Sequence, residues 1–272
     1  DGGSSDGTVE ILKKYDKQLD YWESIRDKGQ TDAINKGLRR MQGQVWCYLN
    51  SDDLLEKHSL ETVAQYFKDC KTKWLSGYSK AFSNDGIIDV RKPVVPTEKR
   101  QYLPYWGSKR GLADYVACSC ATFMHRELID TIGLMDESLH YAMDMEYYAR
   151  AALVGNYQQV LCEQPLAAWR IHDNSKTSLD GIAYRFIEEE LSWAGKYADF
   201  LENDEKAVFL SDIKRESSYM HLRKTAYWLS CSKNWNALKS WLSAVINYPV
   251  NFGRRWWLSL GIQLFKNAIR LR

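Results

Sequence analysis

An apolar run, Val45-Trp46-Cys47-Tyr48-Leu49, stops in Asn50-Ser51-Asp52-Asp53, and this junction narrows most what the chain can fold into. A short apolar run rich in aromatic and branched side chains reads as a buried strand rather than a helix. Its acidic end then puts hard carboxylate oxygens on the rim of a sheet, where a divalent cation could bridge to a phosphorylated substrate. The same four residues also make a polar turn that would cap a helix starting near Leu55. Taken alone they leave both readings open.

The chain opens on Asp1-Gly2-Gly3-Ser4-Ser5-Asp6-Gly7-Thr8, followed by Val9, Ile11, Leu12 and Tyr15. Dense Gly, Ser and Asp make a loop, and the apolar spacing after it is that of a short amphipathic helix. A loop entering a helix usually follows a strand. The expectation is therefore a fragment of a longer protein, with at least one strand before Asp1.

With 272 residues, 45% of them hydrophobic, the chain can bury one substantial core and a smaller appendage. A formal net charge of +2 argues against a dedicated nucleic-acid binder. No apolar run approaches the roughly 20 residues of a bilayer span. Six scattered cysteines suit reduced, packed thiols in a cytoplasmic protein; the Cys118 and Cys120 spacing fits neither a zinc ribbon nor a redox pair.

Along the chain, the pattern predicts strands at residues 19–25 and 45–49 and helices at 31–41 and 58–70. Strands at 74–82 and 87–90 are joined through Asn84-Asp85-Gly86, a hairpin signal. Residues 93–111 form a long loop carrying Tyr105 and Trp106, which could stack on sugar faces or simply pack. A strand at 116–124, helices at 126–132 and 143–153, and strands at 157–161 and 166–171 complete the domain. Beyond residue 178 the character changes, with no glycine between Gly195 and Gly253. The predicted boundary lies near Asp180, giving a domain over residues 1–179 and a helical extension over 180–272, with helices at 182–201, 205–229 and 235–246. Residues 251–272 hold Arg254, Arg255, Lys266, Arg270 and Arg272 beside Trp256, Trp257, Leu260 and Phe265, with no acidic side chain. Such a helix can lie peripherally in an anionic membrane interface or dock its apolar side on the bundle.

Several motifs stand in register. Asp1-Gly2-Gly3-Ser4, Asp27-Lys28-Gly29-Gln30 with Asp32-Ala33-Ile34-Asn35, and Asn50-Ser51-Asp52-Asp53 resemble the family 2 glycosyltransferases of the GT-A fold. The resemblance continues through Ala121-Thr122-Phe123, Gly133-Leu134-Met135-Asp136-Glu137, Asp144-Met145-Glu146-Tyr147 and Trp169-Arg170-Ile171-His172, and so covers residues 1 to about 178. It implies an α/β fold, a Rossmann-like mixed sheet flanked by helices, followed here by the helical region. Family members carry an earlier strand and loop, which agrees with the expected truncation. Without that strand the nucleotide pocket is incomplete, and these 272 residues alone are expected to transfer little or nothing.

The resemblance also implies a chemistry. A nucleotide sugar leaves as a diphosphate, whose developing charge a divalent cation, Mn2+ or Mg2+, would offset. Asp52 matches the metal-binding acid, while Asn50 stands where many members have another acid. Asp53 is an outer or water-mediated ligand, or a helix cap, and His172 resembles the late histidine that completes the metal shell. Asp1, Asp27, Gly29, Asp32, Asn35, Ser51 and Asp52 would bind the donor. Asp144 matches the base that takes the acceptor's proton, and Glu146 is an accessory contact or a surface charge. Ser119 and Cys120 depart from the family pattern, so no acceptor contact carries over to them. The activity implied is inverting transfer to a saccharide or lipid-linked acceptor in cell-surface polysaccharide synthesis, at the inner face of a membrane. A sugar nucleotidyltransferase on a related fold, or a non-catalytic sugar-binding scaffold, would share several of these features.

Overall fold

A computed structural model describes residues 1–105, 118–173, 175–176, 183–247 and 255–269. Its sheet is built from β1 (Val45–Trp46), β2 (Leu54–Leu55), β3 (Trp74–Ser83), β4 (Gly86–Arg91), β5 (Thr122–His125) and β6 (Gln159–Arg170). The strand order is β1-β5-β3-β6-β2, with β4 hairpinned onto β3; β3 and β6 run parallel and the other pairs antiparallel.

The period of two along these strands makes two cores. Trp46, Trp74 and Met124 point to one face, where Trp74 stacks on Tyr148 at 5.4 Å and Trp46 meets Tyr147 edge-on at 5.7 Å. Leu75 and Phe123 point to the other face, against Val63, Cys162 and Leu166. Helices α1 (Thr8–Lys14), α2 (Gln30–Arg40), α3 (Ser59–Phe67), α4 (Glu127–Ile132) and α5 (Met143–Leu153) surround the sheet. Helix α5 has the bounds its sequence pattern predicts, and it supplies the tyrosines of the tryptophan face.

Five local expectations change. The strand expected over 116–124 is, among the described residues, a 3-10 turn at Ser119–Ala121 followed by a strand only at Thr122–His125. Residues 19–25 are extended but form no ladder; Asp1 N donates to Glu23 O at 3.0 Å and Ile25 N to Asp1 O at 3.1 Å. The strand expected over 45–49 pairs only at Val45 and Trp46, opposite His125 and Met124 of β5, and residues 47–49 lead into the acidic turn without joining the ladder. Leu54 and Leu55 are a strand paired with Ala168 and Ala167, so no helix begins there for Asp53 to cap. The two strands expected at 157–161 and 166–171 are the single β6, whose pairing with β3 shifts register at Gly77 and Tyr78 and so absorbs the irregularity between them. All six cysteines are free thiols.

The chain continues in α6 (Ala183–Ala194), α7 (Asn203–Ser230), α8 (Asn234–Asn247) and α9 (Arg255–Ile269). Trp193 and Ala194 of α6 and Phe209 of α7 belong to the same core as Trp46 and Tyr147. The boundary expected near Asp180 lies outside the described residues, and α6 beyond it is packed into the sheet's own core. Helices α7, α8 and α9 bury Leu229, Ala237 and Leu264 together. Helix α9 therefore docks on the bundle through Leu264, while Leu258 and Ile262 stay exposed. Residues 251–254 and 270–272 of the basic tail lie outside the described residues. Among the described residues no helix is long and apolar enough to cross a membrane.

Candidate active site

The acidic turn is anchored by one of its two carboxylates and exposes the other. Asp53 N donates to Asn50 O at 3.1 Å, closing the turn. Asn50 Nδ2 donates to Asp53 Oδ2 at 2.9 Å, and Arg170 N at the end of β6 donates to Asp53 Oδ1 at 3.0 Å. One Asp53 oxygen thus braces the turn internally and the other ties it to the sheet. Burial lifts its carboxyl above the usual aspartate range even against those two bonds. Asp53, expected as an outer metal ligand, is a structural anchor here.

Asp52 faces outward. Arg170 Nε donates to its carbonyl at 3.3 Å, and His172 Nε2 lies 3.0 Å from its Oδ2. The two residues expected to share a metal are therefore neighbours, one from the turn after β1 and one just past β6. Ser51 is exposed at the tip of the same turn.

The segment that leads from β1 into this turn also reaches the other acid. Tyr48 Oη donates to Asp144 Oδ2 at 3.4 Å, and Met145 N donates to Asp144 Oδ1 at 2.8 Å. Asp144 is the second residue of α5, and burial raises its carboxyl above the usual range. Tyr48 is pushed well up by the same burial, so it stays a neutral donor. Glu146 was expected as an accessory contact or surface charge. It is instead buried, paired with Arg150 at 2.9 Å and bonded by the Tyr197 hydroxyl.

A chain of polar contacts crosses the site. Gln30 Nε2 donates to Asn50 Oδ1 at 2.8 Å, and Lys176 Nζ donates to Gln30 Oε1 at 2.8 Å and His140 O at 3.0 Å. Tyr48, Gln30 and Lys176 were not among the sequence-derived site residues. Only their closeness to motif residues in the chain, Tyr48 to the acidic turn and Gln30 to Gly29, could have drawn attention to them.

The expected donor pocket splits in two. Asp1 accepts hydrogen bonds from Gly3 N at 3.1 Å, Ser4 N at 3.0 Å and Ser24 Oγ at 2.6 Å, so it organises the first loop. Asp27 accepts from Gly29 N at 3.0 Å and packs on Gly2, where a Cβ would come within 2.6 Å of its Oδ2. Gly29 has φ +131°, and a Cβ there would meet the His140 ring at 3.0 Å. Asp32 and Asn35 turn inward. Asp32 accepts from Lys28 N at 3.0 Å, a bond that lowers its carboxyl, and pairs with Lys36 at 3.3 Å. Asn35 is buried with both amide protons committed, to Met135 O at 2.9 Å and Glu137 Oε1 at 3.1 Å, while its oxygen accepts from Met135 N at 3.1 Å. Asn35, expected to bind donor, instead ties α2 to the segment at Met135 and Glu137. Tyr105 donates through its hydroxyl to Glu190; Trp106 lies outside the described residues.

Among the described residues no group of three or more His, Cys, Asp or Glu side chains is arranged to hold a metal. Asp52 and His172 offer one hard oxygen and one nitrogen. That partial set suits a cation whose remaining ligands come from a diphosphate and water. An open concavity of about 770 Å3 between residues 98–100 and 200–205 contains none of the site residues.

Residues 1–133 match the family model described as glycosyl transferase family 2. An uncharacterized glycosyltransferase of Mycobacterium tuberculosis is 31% identical over 169 residues, 60% of each chain. TuaG of Bacillus subtilis, a putative teichuronic acid biosynthesis glycosyltransferase, is 31% identical over 109 residues, covering 38% of this chain and 39% of its own. The chain thus spans well under two thirds of these relatives. Among solved structures, S. aureus TarS residues 1–349 in complex with UDP-GlcNAc superposes with a TM-score of 0.57 at 14% identity, over 90% of this chain and 80% of that one. The likeness at that identity is one of fold, a mixed sheet flanked by helices with a helical region after it.

Proposed function

We propose, for a chain whose residues 1–133 match the glycosyl transferase family 2 model, that the full-length protein moves a sugar from a nucleotide diphosphate sugar to a saccharide or lipid-linked acceptor. The transfer inverts the anomeric centre and serves cell-surface polysaccharide synthesis at the cytoplasmic face of a membrane. One observation carries this reading: residues 48–52 place Tyr48 against Asp144 and Asp52 against His172, so a single segment joins a half-buried acid to an exposed acid-imidazole pair.

In the proposed step the acceptor hydroxyl oxygen attacks the anomeric carbon and its proton passes to the Asp144 carboxylate. The bond from that carbon to the diphosphate breaks, and the leaving diphosphate keeps the electron pair. Because it leaves as an anion, no general acid is needed, unlike glycoside hydrolysis with its two carboxylates. Burial of Asp144 makes it a stronger base than an exposed aspartate, and the Tyr48 hydroxyl orients it. Asp52 and His172 would hold a divalent cation, Mn2+ or Mg2+, which when bound offsets charge on the diphosphate. Lys176, bridging Gln30 and His140, adds a second positive charge at the mouth of the cleft. Asp1, Asp27 and Gly29 would contact the nucleotide. The UDP-GlcNAc bound by TarS and the polymer named for TuaG support the donor and pathway classes. Exposed Leu258 and Ile262 on α9, with Lys266 one turn on, favour peripheral contact of residues 251–272 with an anionic membrane.

A thermal-shift screen of the full-length protein against UDP-, GDP- and dTDP-sugars, with and without manganese, tests the donor assignment. At least one donor should raise the melting temperature only when manganese is present. Stabilisation by none of them would contradict the reading.

A further inference from the structure

The loop that leads into the Asp144 helix is gripped by a side chain from the helical region. Glu189, on α6, accepts three consecutive backbone N–H groups: His140 N at 2.8 Å on Oε1, and Tyr141 N at 2.6 Å and Ala142 N at 2.9 Å on Oε2. Ala142 is the residue that caps α5, and Asp144 lies two residues further on. A carboxylate that satisfies three adjacent donors with both oxygens fixes the backbone there far more tightly than one hydrogen bond would.

The same loop is also held by two groups outside the helical region. Thr31 Oγ1 donates to Leu139 O at 2.5 Å, and Lys176 Nζ donates to His140 O at 3.0 Å. Tyr141 is braced by Arg185, whose Nη1 lies 2.7 Å from its hydroxyl, and by the Phe186 ring at 5.1 Å. Residues 185, 186 and 189 thus form one face of α6 that seats residues 140–142. Glu190, the next residue on the helix, is also in the electrostatic surroundings of Asp144, together with Tyr48, Tyr148, Cys118 and Lys176.

We propose that Glu189 is a positioning residue for Asp144. By clamping residues 140–142 it sets the start of α5, so the helical region after the sheet is a working part of the site rather than an appendage. This rests on the reading of Asp144 as the base.

The test uses the full chain and needs no identified acceptor. Hydrogen exchange in the unaltered protein should show the amides of residues 140–142 protected, and Glu189→Gln should speed their exchange about ten-fold or more while β3 amides keep their rates. Carbon-13 NMR of the Asp144 carboxyl should show its titration midpoint falling by about half a unit or more in Glu189→Gln, as the site loosens and a negative charge is lost. Glu188→Gln, which alters an exposed neighbour paired with Lys224, should change neither. Rapid exchange of the three amides in the unaltered protein, or a Glu189→Gln variant with an unmoved Asp144 midpoint, would overturn the proposal. Should Glu189→Gln not fold, the exchange measurement on the unaltered protein still decides. Failure of the base reading would show separately, as an Asp144→Asn variant that still releases nucleotide while the clamp signals stand.

Discussion

His172 Nε2 sits 3.0 Å from Asp52 Oδ2, closing the chain just past β6 onto the turn that follows β1. Two side chains 120 residues apart in sequence are thus brought to one point at the cleft surface. In the proposed function this pair holds the cation that accompanies the diphosphate.

His172→Ala should therefore weaken donor binding selectively. Calorimetry with the donor that best stabilises the protein should show the Kd rising about ten-fold or more in manganese, and changing little without it. Equal loss in both conditions would place His172 in contact with donor or fold rather than with metal.

Glu190 makes stability depend on pH. Burial raises its carboxyl from an ordinary value of 4.5 to about 7. Its proton is held more tightly in the folded state, so the stability it confers is full below about pH 4.5 and is lost as pH rises through about 7. Urea denaturation should show the unaltered protein losing roughly 1–3 kcal/mol more than Glu190→Gln between about pH 5 and pH 8. Parallel pH profiles for the two proteins would refute the effect.

Asn35 supplies a contrast with the donor residues. Its amide bridges α2 to the backbone at Met135, wholly buried, so Asn35→Ala should cost about 2–3 kcal/mol of stability by leaving those groups unpaired. Donor affinity of the folded variant should stay within about three-fold of the original. A stable variant with much weaker donor binding would restore Asn35 to the pocket.

Much of this was legible because it is local. The Asn84-Asp85-Gly86 hairpin, the bounds of α5 and the exposed acid at the end of β1 follow from neighbours in sequence, where turn chemistry and apolar period act. What the sequence does not carry are pairings across the fold. Asp53 and Asp52 are adjacent and chemically alike, yet the backbone N–H of Arg170 captures Asp53 and leaves Asp52 outward. Glu146 and Asp144 share one helix turn, yet Arg150 and Tyr197 draw Glu146 into the core. Residues 19–25 have strand composition, but a ladder needs a partner strand, and their backbone bonds run to Asp1 and Asp16 instead. The grip of Glu189 on residues 140–142 arises from helices that composition alone marks as a separate region.

The most direct test of sugar transfer at this site is release of nucleoside diphosphate from the stabilising donor by the full-length protein and by its Asp144→Asn variant, measured across pH. Transfer through Asp144 predicts that the variant binds donor as before but releases nucleotide about a hundred-fold or more slowly. The original protein should lose activity as pH falls through a midpoint above the ordinary aspartate value, because burial raises the Asp144 carboxyl and only its ionised form accepts a proton. An Asp144→Asn variant that releases nucleotide at the original rate, with the same acid limb, would contradict the account.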